Sequence, residues 1–177
     1  MDNVKFLRLE GKAGTVSRVK QEMETHSSIH FACHASRNLQ NPLKSGFYLH
    51  DGRLELADIM KQKIARCDLA FLSACQTSTG DEKLSEEAVH LAAGMLAVGY
   101  RSVVATMWSI NDYYGPMVAE IFYQYLVEKE RTLSGKLRLE GAGSAYALHH
   151  AIQCIRAQVG DTEQGLLMWV PYVHFGL

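Results

Sequence analysis

Net charge is almost absent from this 177-residue chain: 18 Lys and Arg stand against 19 Asp and Glu, leaving −1 at pH 7. Without a basic excess there is no electrostatic case for binding nucleic acid or a membrane surface. Cysteine is sparse, and Cys33, Cys67, Cys75 and Cys154 show neither a CxxC pair nor a repeating spacing, so neither a disulfide framework nor a zinc knuckle is indicated. Free thiols fit a reducing interior, cytoplasm or nucleus. No window approaches eighteen apolar residues and the amino terminus lacks a basic-then-apolar signal, which argues against membrane spanning and secretion. Repeats and low-complexity segments are also missing. What remains is an ordinary globular composition, 47% hydrophobic and 21% charged, long enough for one well-packed core.

Two apolar runs organise the chain. Leu69-Ala70-Phe71-Leu72-Ser73-Ala74-Cys75 is continuous rather than alternating, which implies burial on both faces, as in a parallel sheet covered by helices. It stops at Cys75 and turns polar through Gln76 to Asp81. Ser28-Ile29-His30-Phe31-Ala32-Cys33-His34 has the same form and stops at His34, followed by Ala35 and Ser36. In such sheets a site lies beyond the carboxyl ends of the strands. The two residues are 41 positions apart, room for a hairpin and a helix, so adjacent parallel strands could bring thiol and imidazole together. An unperturbed thiol, pKa about 8.5, is mostly protonated at neutral pH, and a neighbouring imidazole makes it a usable nucleophile.

Each residue has a plainer reading. Cys75 alone would be core filler, since free cysteine is among the most buried residue types. His34 alone would be a strand-terminal histidine with a satisfied hydrogen bond. Their occurrence together at the ends of two similar strands carries the nucleophile reading. His26, His30 and His34 also repeat every fourth residue, which on a helix would suggest a metal site. On a strand they would be about 13 Å apart in steps of four, too far to share an ion. Ile29-His30-Phe31 favours the strand, so no metal is assigned.

In chain order, the pattern predicts a first strand over Val4 to Leu9 and a helix from about Thr15 to Met23. After the His34 strand, Asp51-Gly52 between two alternating runs marks a tight hairpin, and Ala57 to Arg66 reads as a helix. Ser85 suits a helix N-cap, with Ala88, Leu91, Ala92, Met95 and Leu96 as the buried stripe and Gly99 as the stop. Ser102 to Trp108 is a further buried strand. Asn111 or Asp112 can cap the next helix, whose first turn takes Pro116. The polar stretch from Lys129 to Gly143 is the one candidate linker, then a helix runs from Ala145 to Val159, and Trp169 to Phe175 closes the chain as a strand. Strands alternating with helices give an α/β three-layer sandwich with a largely parallel sheet and an inserted hairpin.

The segment HFACHA, taken with LAFLSACQTSTGDEKLSEEAVHLAAGMLAVGYRSVVATMWSIND, resembles the CHAT domain, a caspase-like cysteine peptidase module often found after tetratricopeptide repeats. The likeness runs from about Gly11 to Leu177, and its wording is similar to CHAT domains of fungal proteins. It implies one caspase-like domain over 1–177, with Cys75 and His34 as a catalytic dyad and the main-chain amides of Cys75 and Ala35 holding the oxyanion. Glycine is common in the family where Ala35 stands. Caspase-like enzymes selecting a basic side chain tend to have an acid two positions before the nucleophile. Here that position is Ser73, so an arginine or lysine requirement is not supported. Trp108, Ser109 and Asp112, at the end of the next strand, are candidate pocket walls. Core packing is the plainer role for Trp108, and helix capping for Asp112. The chemistry needs no metal or cofactor. Its partners would be a protein or peptide substrate and an attached or associated tetratricopeptide-type regulatory domain. The competing reading is a caspase-like scaffold without turnover. The likeness also leads us to expect that a complete domain begins one strand and helix before Met1, which would leave an open sheet edge here.

Overall fold

The computed structural model describes residues 6–36, 38, 40–62, 64, 66–73, 75–76, 85–134 and 140–176; for 75, 76, 85–88, 130, 131, 133 and 134 it describes the main chain only. The first helix, α1 (Val16–Met23), starts where the sequence predicts because two of its orphan amides are satisfied: Arg18 N donates to Thr15 Oγ1 at 3.2 Å and Val16 N to Asp51 Oδ1 at 2.7 Å. The hairpin therefore caps the helix. The expected strand over Val4 to Leu9 is not formed in its described part. Residues 6–9 are irregular, and Phe6 is 85% exposed with no strand beside it.

The strands β1 (Ser28–Phe31) and β2 (His34–Ser36) come next, then the hairpin β3 (Gly46–Leu49) and β4 (Gly52–Glu55), turning on His50 and Asp51. Helix α2 (Leu56–Ile59) is a single turn rather than the predicted run to Arg66. Leu56 and Ile59 are buried, whereas Met60 is 46% exposed, and the Gln62 side chain donates to the Asp58 carbonyl at 3.2 Å. With Met60 turned to solvent and no side-chain cap at Glu55, little sustains a second turn.

Then follow β5 (Leu69–Leu72), β6 (Cys75–Gln76), α3 (Ser85–Val98), β7 (Ser102–Thr106), α4 (Tyr114–Ser134), α5 (Ser144–Val159), α6 (Glu163–Trp169) and β8 (Tyr172–Gly176). Gly99 ends α3 with φ +114°, a conformation that favours glycine. The closing strand begins three residues later than predicted. Trp169 belongs to α6, where Thr162 Oγ1 accepts from Gly165 N at 3.1 Å and Glu163 occupies the favourable first turn.

The strands form two sheets, β1-β5-β7-β8 and β4-β3-β2-β6. In the larger, β1, β5 and β7 are parallel and β8 is antiparallel. Alternate residues of its strands face opposite layers, as a pleated sheet requires. Ala70, Leu72, Val103 and Ala105 pack with Val19, Met23, Leu91 and Met95 on the α1–α3 side. Leu69, Phe71 and Val104 pack with Val118, Phe122, Leu126 and Ile155 on the α4–α6 side. This is the expected α/β three-layer sandwich, with the hairpin carried by the small sheet.

Candidate active site

Both site strands change sheets. In β1 and β5, Ser28 is opposite Leu69 and Phe31 opposite Leu72. After the break at Ala32 and Cys33 the chain pairs again in the small sheet, where β2 and β6 run parallel and His34 stands opposite Cys75. The offset is the same on both sides of the break (72 − 31 = 75 − 34 = 41), so the register runs on unslipped. Neighbouring strands lie about 4.8 Å apart, which puts the two main chains within side-chain reach of each other. On its other side β2 pairs with β3, Ala35 opposite Phe47, while β6 is the edge of the small sheet. Stacking of Phe31 on Phe47, centroids 4.0 Å apart and planes 9° from parallel, bridges the two sheets.

His34 is exposed and Ala35 is buried at 2%. Strand alternation sends Cys33 the other way, against the α1–α3 core, where burial pushes its thiol up to about 12. The side chain of Cys75 lies outside the described residues, as does everything from Thr77 to Leu84.

Trp108 and Ser109 follow Thr106, the last residue of β7, and so leave the sheet at the end where His34 and Cys75 stand. Trp108 is half-buried and its Nε1 has no hydrogen-bond partner among the described residues, while Ser109 and Asp112 are exposed. Asn111, not Asp112, prepares α4: its Oδ1 accepts from Tyr113 N at 2.9 Å and its carbonyl from Tyr114 and Gly115.

Sequence reasoning missed a second pair at this end. His30 Nε2 and Ser73 Oγ are 2.7 Å apart, and the imidazole packs on Phe71 at 4.7 Å and Tyr123 at 5.7 Å. The surrounding protein withdraws water from the ring and lowers its pKa well below the usual imidazole range, to about 4. Its open side, which leaves the residue exposed at the edge of the sheet, limits that effect. The signal was present: the offset that aligns His34 with Cys75 also aligns His30 with Phe71, and Ser73 is two further along the same face.

The fold places the three histidines of the metal reading on separate elements. His26 follows α1 and lies 2.9 Å from the Glu22 carbonyl through Nδ1, His30 is in β1 with Ser73, and His34 is in β2. Among the described residues no group of three or more His, Cys, Asp or Glu is placed to hold a metal. Two other contacts imitate a nucleophile and base. Ser144 Oγ is 2.8 Å from His174 Nε2 but is fully buried, and His174 stands opposite Val104, in the middle of β7. Cys154 Sγ is 3.7 Å from His150 Nε2, one turn apart on α5.

These environments separate the thiols. We expect iodoacetamide to modify Cys75 fastest at neutral pH and Cys33 and Cys67 slowest, because burial raises both of their pKa values. Cys154 should fall between. Site-resolved mass spectrometry measures this, and equal rates for Cys75 and Cys154 would remove the case for a special thiol.

A search of the curated proteins finds no match to this chain. The sequence model of the CHAT domain matches residues 5–177, which takes in both strand-end motifs, the hairpin between them and the closing strand β8. With nearly the whole length matched, the chain belongs to the CHAT domain family.

Proposed function

We propose that the chain is a caspase-like cysteine endopeptidase acting through a Cys75–His34 dyad. The observation that supports this best is the parallel register that sets His34 opposite Cys75 at the carboxyl end of the sheet. In the proposed reaction the Cys75 thiolate adds to a peptide carbonyl carbon. The C–N bond then breaks as His34 gives its proton to the departing amine, leaving a thioester. Water, losing a proton to His34, attacks the thioester, and the C–S bond breaks to return the thiolate. The amides of Cys75 and Ala35 are the proposed oxyanion donors. Because β6 is an edge strand, its outward amides meet no strand partner among the described residues. Trp108, Ser109 and Asp112 are proposed substrate contacts at the same end.

The dyad works without a metal or cofactor. Within the proposal, control falls to an attached or associated tetratricopeptide-type domain in a reducing, intracellular setting, consistent with free Cys33, Cys67 and Cys154. Among the described residues no helix is long and apolar enough to cross a membrane.

The deciding experiment is labelling with an electrophilic peptide probe. We expect one adduct, on Cys75, absent in Cys75→Ala, strongly slowed in His34→Ala and unaffected by a chelator. A folded protein with no adduct would favour the non-catalytic scaffold, and chelator sensitivity restored by zinc would revive a metal role.

A further inference from the structure

The small sheet has one buried face and one open face. Ala35, Phe47 and Leu54 alternate into the core on the α1–α3 side, so their neighbours along β2, β3 and β4 turn outward. On that outward face the pairings line up. The register that sets Ala35 opposite Phe47 carries His34 opposite Tyr48, and Tyr48 in turn stands opposite Arg53 in the hairpin. With Cys75 opposite His34 on the other flank, one row of positions crosses the whole sheet in the order Cys75, His34, Tyr48, Arg53. Opposed residues have Cβ atoms about 4.5–5.5 Å apart, so the imidazole is flanked on one side by the nucleophile's strand and on the other by a tyrosine.

Tyr48 is 44% exposed, yet it is anchored. Its phenol is a hydrogen-bond partner of Arg53, whose guanidinium is itself held on both sides: Nη2 donates to Glu55 Oε1 at 2.6 Å and Nη1 to Ser36 Oγ at 3.4 Å. Ser36 is on β2, opposite Gly46 of β3. The guanidinium therefore reaches across β3 where that strand has no side chain to block it, and its far contact lies two residues from His34. Hairpin and histidine strand are tied together beside the site.

An exposed histidine on a strand has several staggered rotamers open to it, and only those leaning toward β6 bring the imidazole to Cys75. A wall on the β3 side removes the others before substrate arrives, which is the gain from preorganisation. Resting on the peptidase reading above, we propose that Tyr48 is a positioning residue for His34, its ring closing the side away from Cys75, and that Arg53 holds that ring in place.

The test is reaction of the full chain with the electrophilic peptide probe, read as the maximal rate of Cys75 adduct formation and as the half-saturating probe concentration. Tyr48→Thr removes the ring but keeps strand preference, and thermal melting checks that the fold is intact. It should lower the maximal rate about 5- to 10-fold, since only a few rotamers are released, and leave the half-saturating concentration within about 2-fold. Tyr48→Phe and Arg53→Met each keep the ring but untie it, and should each cost about 2- to 3-fold, with no further loss when combined. In a His34→Ala background Tyr48→Thr should change nothing more, which separates action through His34 from a general loosening of the sheet. A folded Tyr48→Thr within about 1.5-fold of the unaltered chain, or an equal loss in the His34→Ala background, overturns this inference and leaves the peptidase reading intact. So does Tyr48→Phe as slow as Tyr48→Thr. No adduct on the unaltered chain, or one formed equally fast without His34, overturns both.

Discussion

Replacing Cys75 by alanine is expected to lower peptide cleavage by about 10⁵-fold or more, to the uncatalysed background, and His34→Ala to lower it by about 10³-fold. The asymmetry follows from the roles. Without the sulfur there is no thioester route, whereas without the imidazole a residual thiolate still attacks but the amine leaves unprotonated. The double variant should be no worse than Cys75→Ala, because groups acting in one step are not additive. His34→Ala should cost little stability, since the residue is exposed. The quantity to measure is kcat/KM on a peptide, with thermal melting as the control. A folded His34→Ala protein within about 10-fold of the unaltered chain would exclude His34 as acid and base.

Phe71→Ala should unfold the protein more readily than any surface change. Phe71 is fully buried at the centre of β5, and its ring meets His30 at 4.7 Å, Phe122 at 5.0 Å edge-on and Tyr123 at 5.8 Å. Truncating such a ring costs about 3–5 kcal/mol through lost burial and the cavity left behind. Domains are stable by only about 5–15 kcal/mol, so this is a large share of the margin. Tyr113→Ala, at a residue 70% exposed, should stay within about 0.5 kcal/mol. Urea denaturation compares them, and a Phe71→Ala cost under about 1.5 kcal/mol would contradict the packing described.

The buried strands were legible because 69–72 and 103–105 are short continuous apolar runs rich in strand-favouring residues and bounded by polar ones, the habit of a covered sheet. The start of α1 near Thr15 was legible from the apolar spacing that follows it, and the hairpin from the turn chemistry of Asp51-Gly52. Val4 to Leu9 misled because alternation describes a strand's faces but not whether a neighbour exists to pair with it. Trp169 misled for a different reason: an aromatic residue favours strands on average, but the Thr162 cap seven residues earlier had already committed the segment to a helix. At the site, the sequence showed that Cys75 and His34 end similar strands, and the common offset of 41 was there to be read. The passage from one sheet to another was not, since it depends on the hairpin docking beside β2, a contact between distant segments. His30 and Ser73 escaped notice because neither is unusual until the register puts them side by side.

That sheet break has a mechanical consequence. His34 and Cys75 are both in the small sheet, paired to each other, whereas His30 and Thr106 are in the large one. A rotation of one sheet against the other, pivoting where Phe31 stacks on Phe47, would carry His34 and Cys75 as a unit and change their position relative to His30 and Thr106. Within the proposed dyad, force applied to the hairpin, which is bonded to β2 on one flank and caps α1 through Asp51, would thus reach His34 and Cys75 together rather than part them.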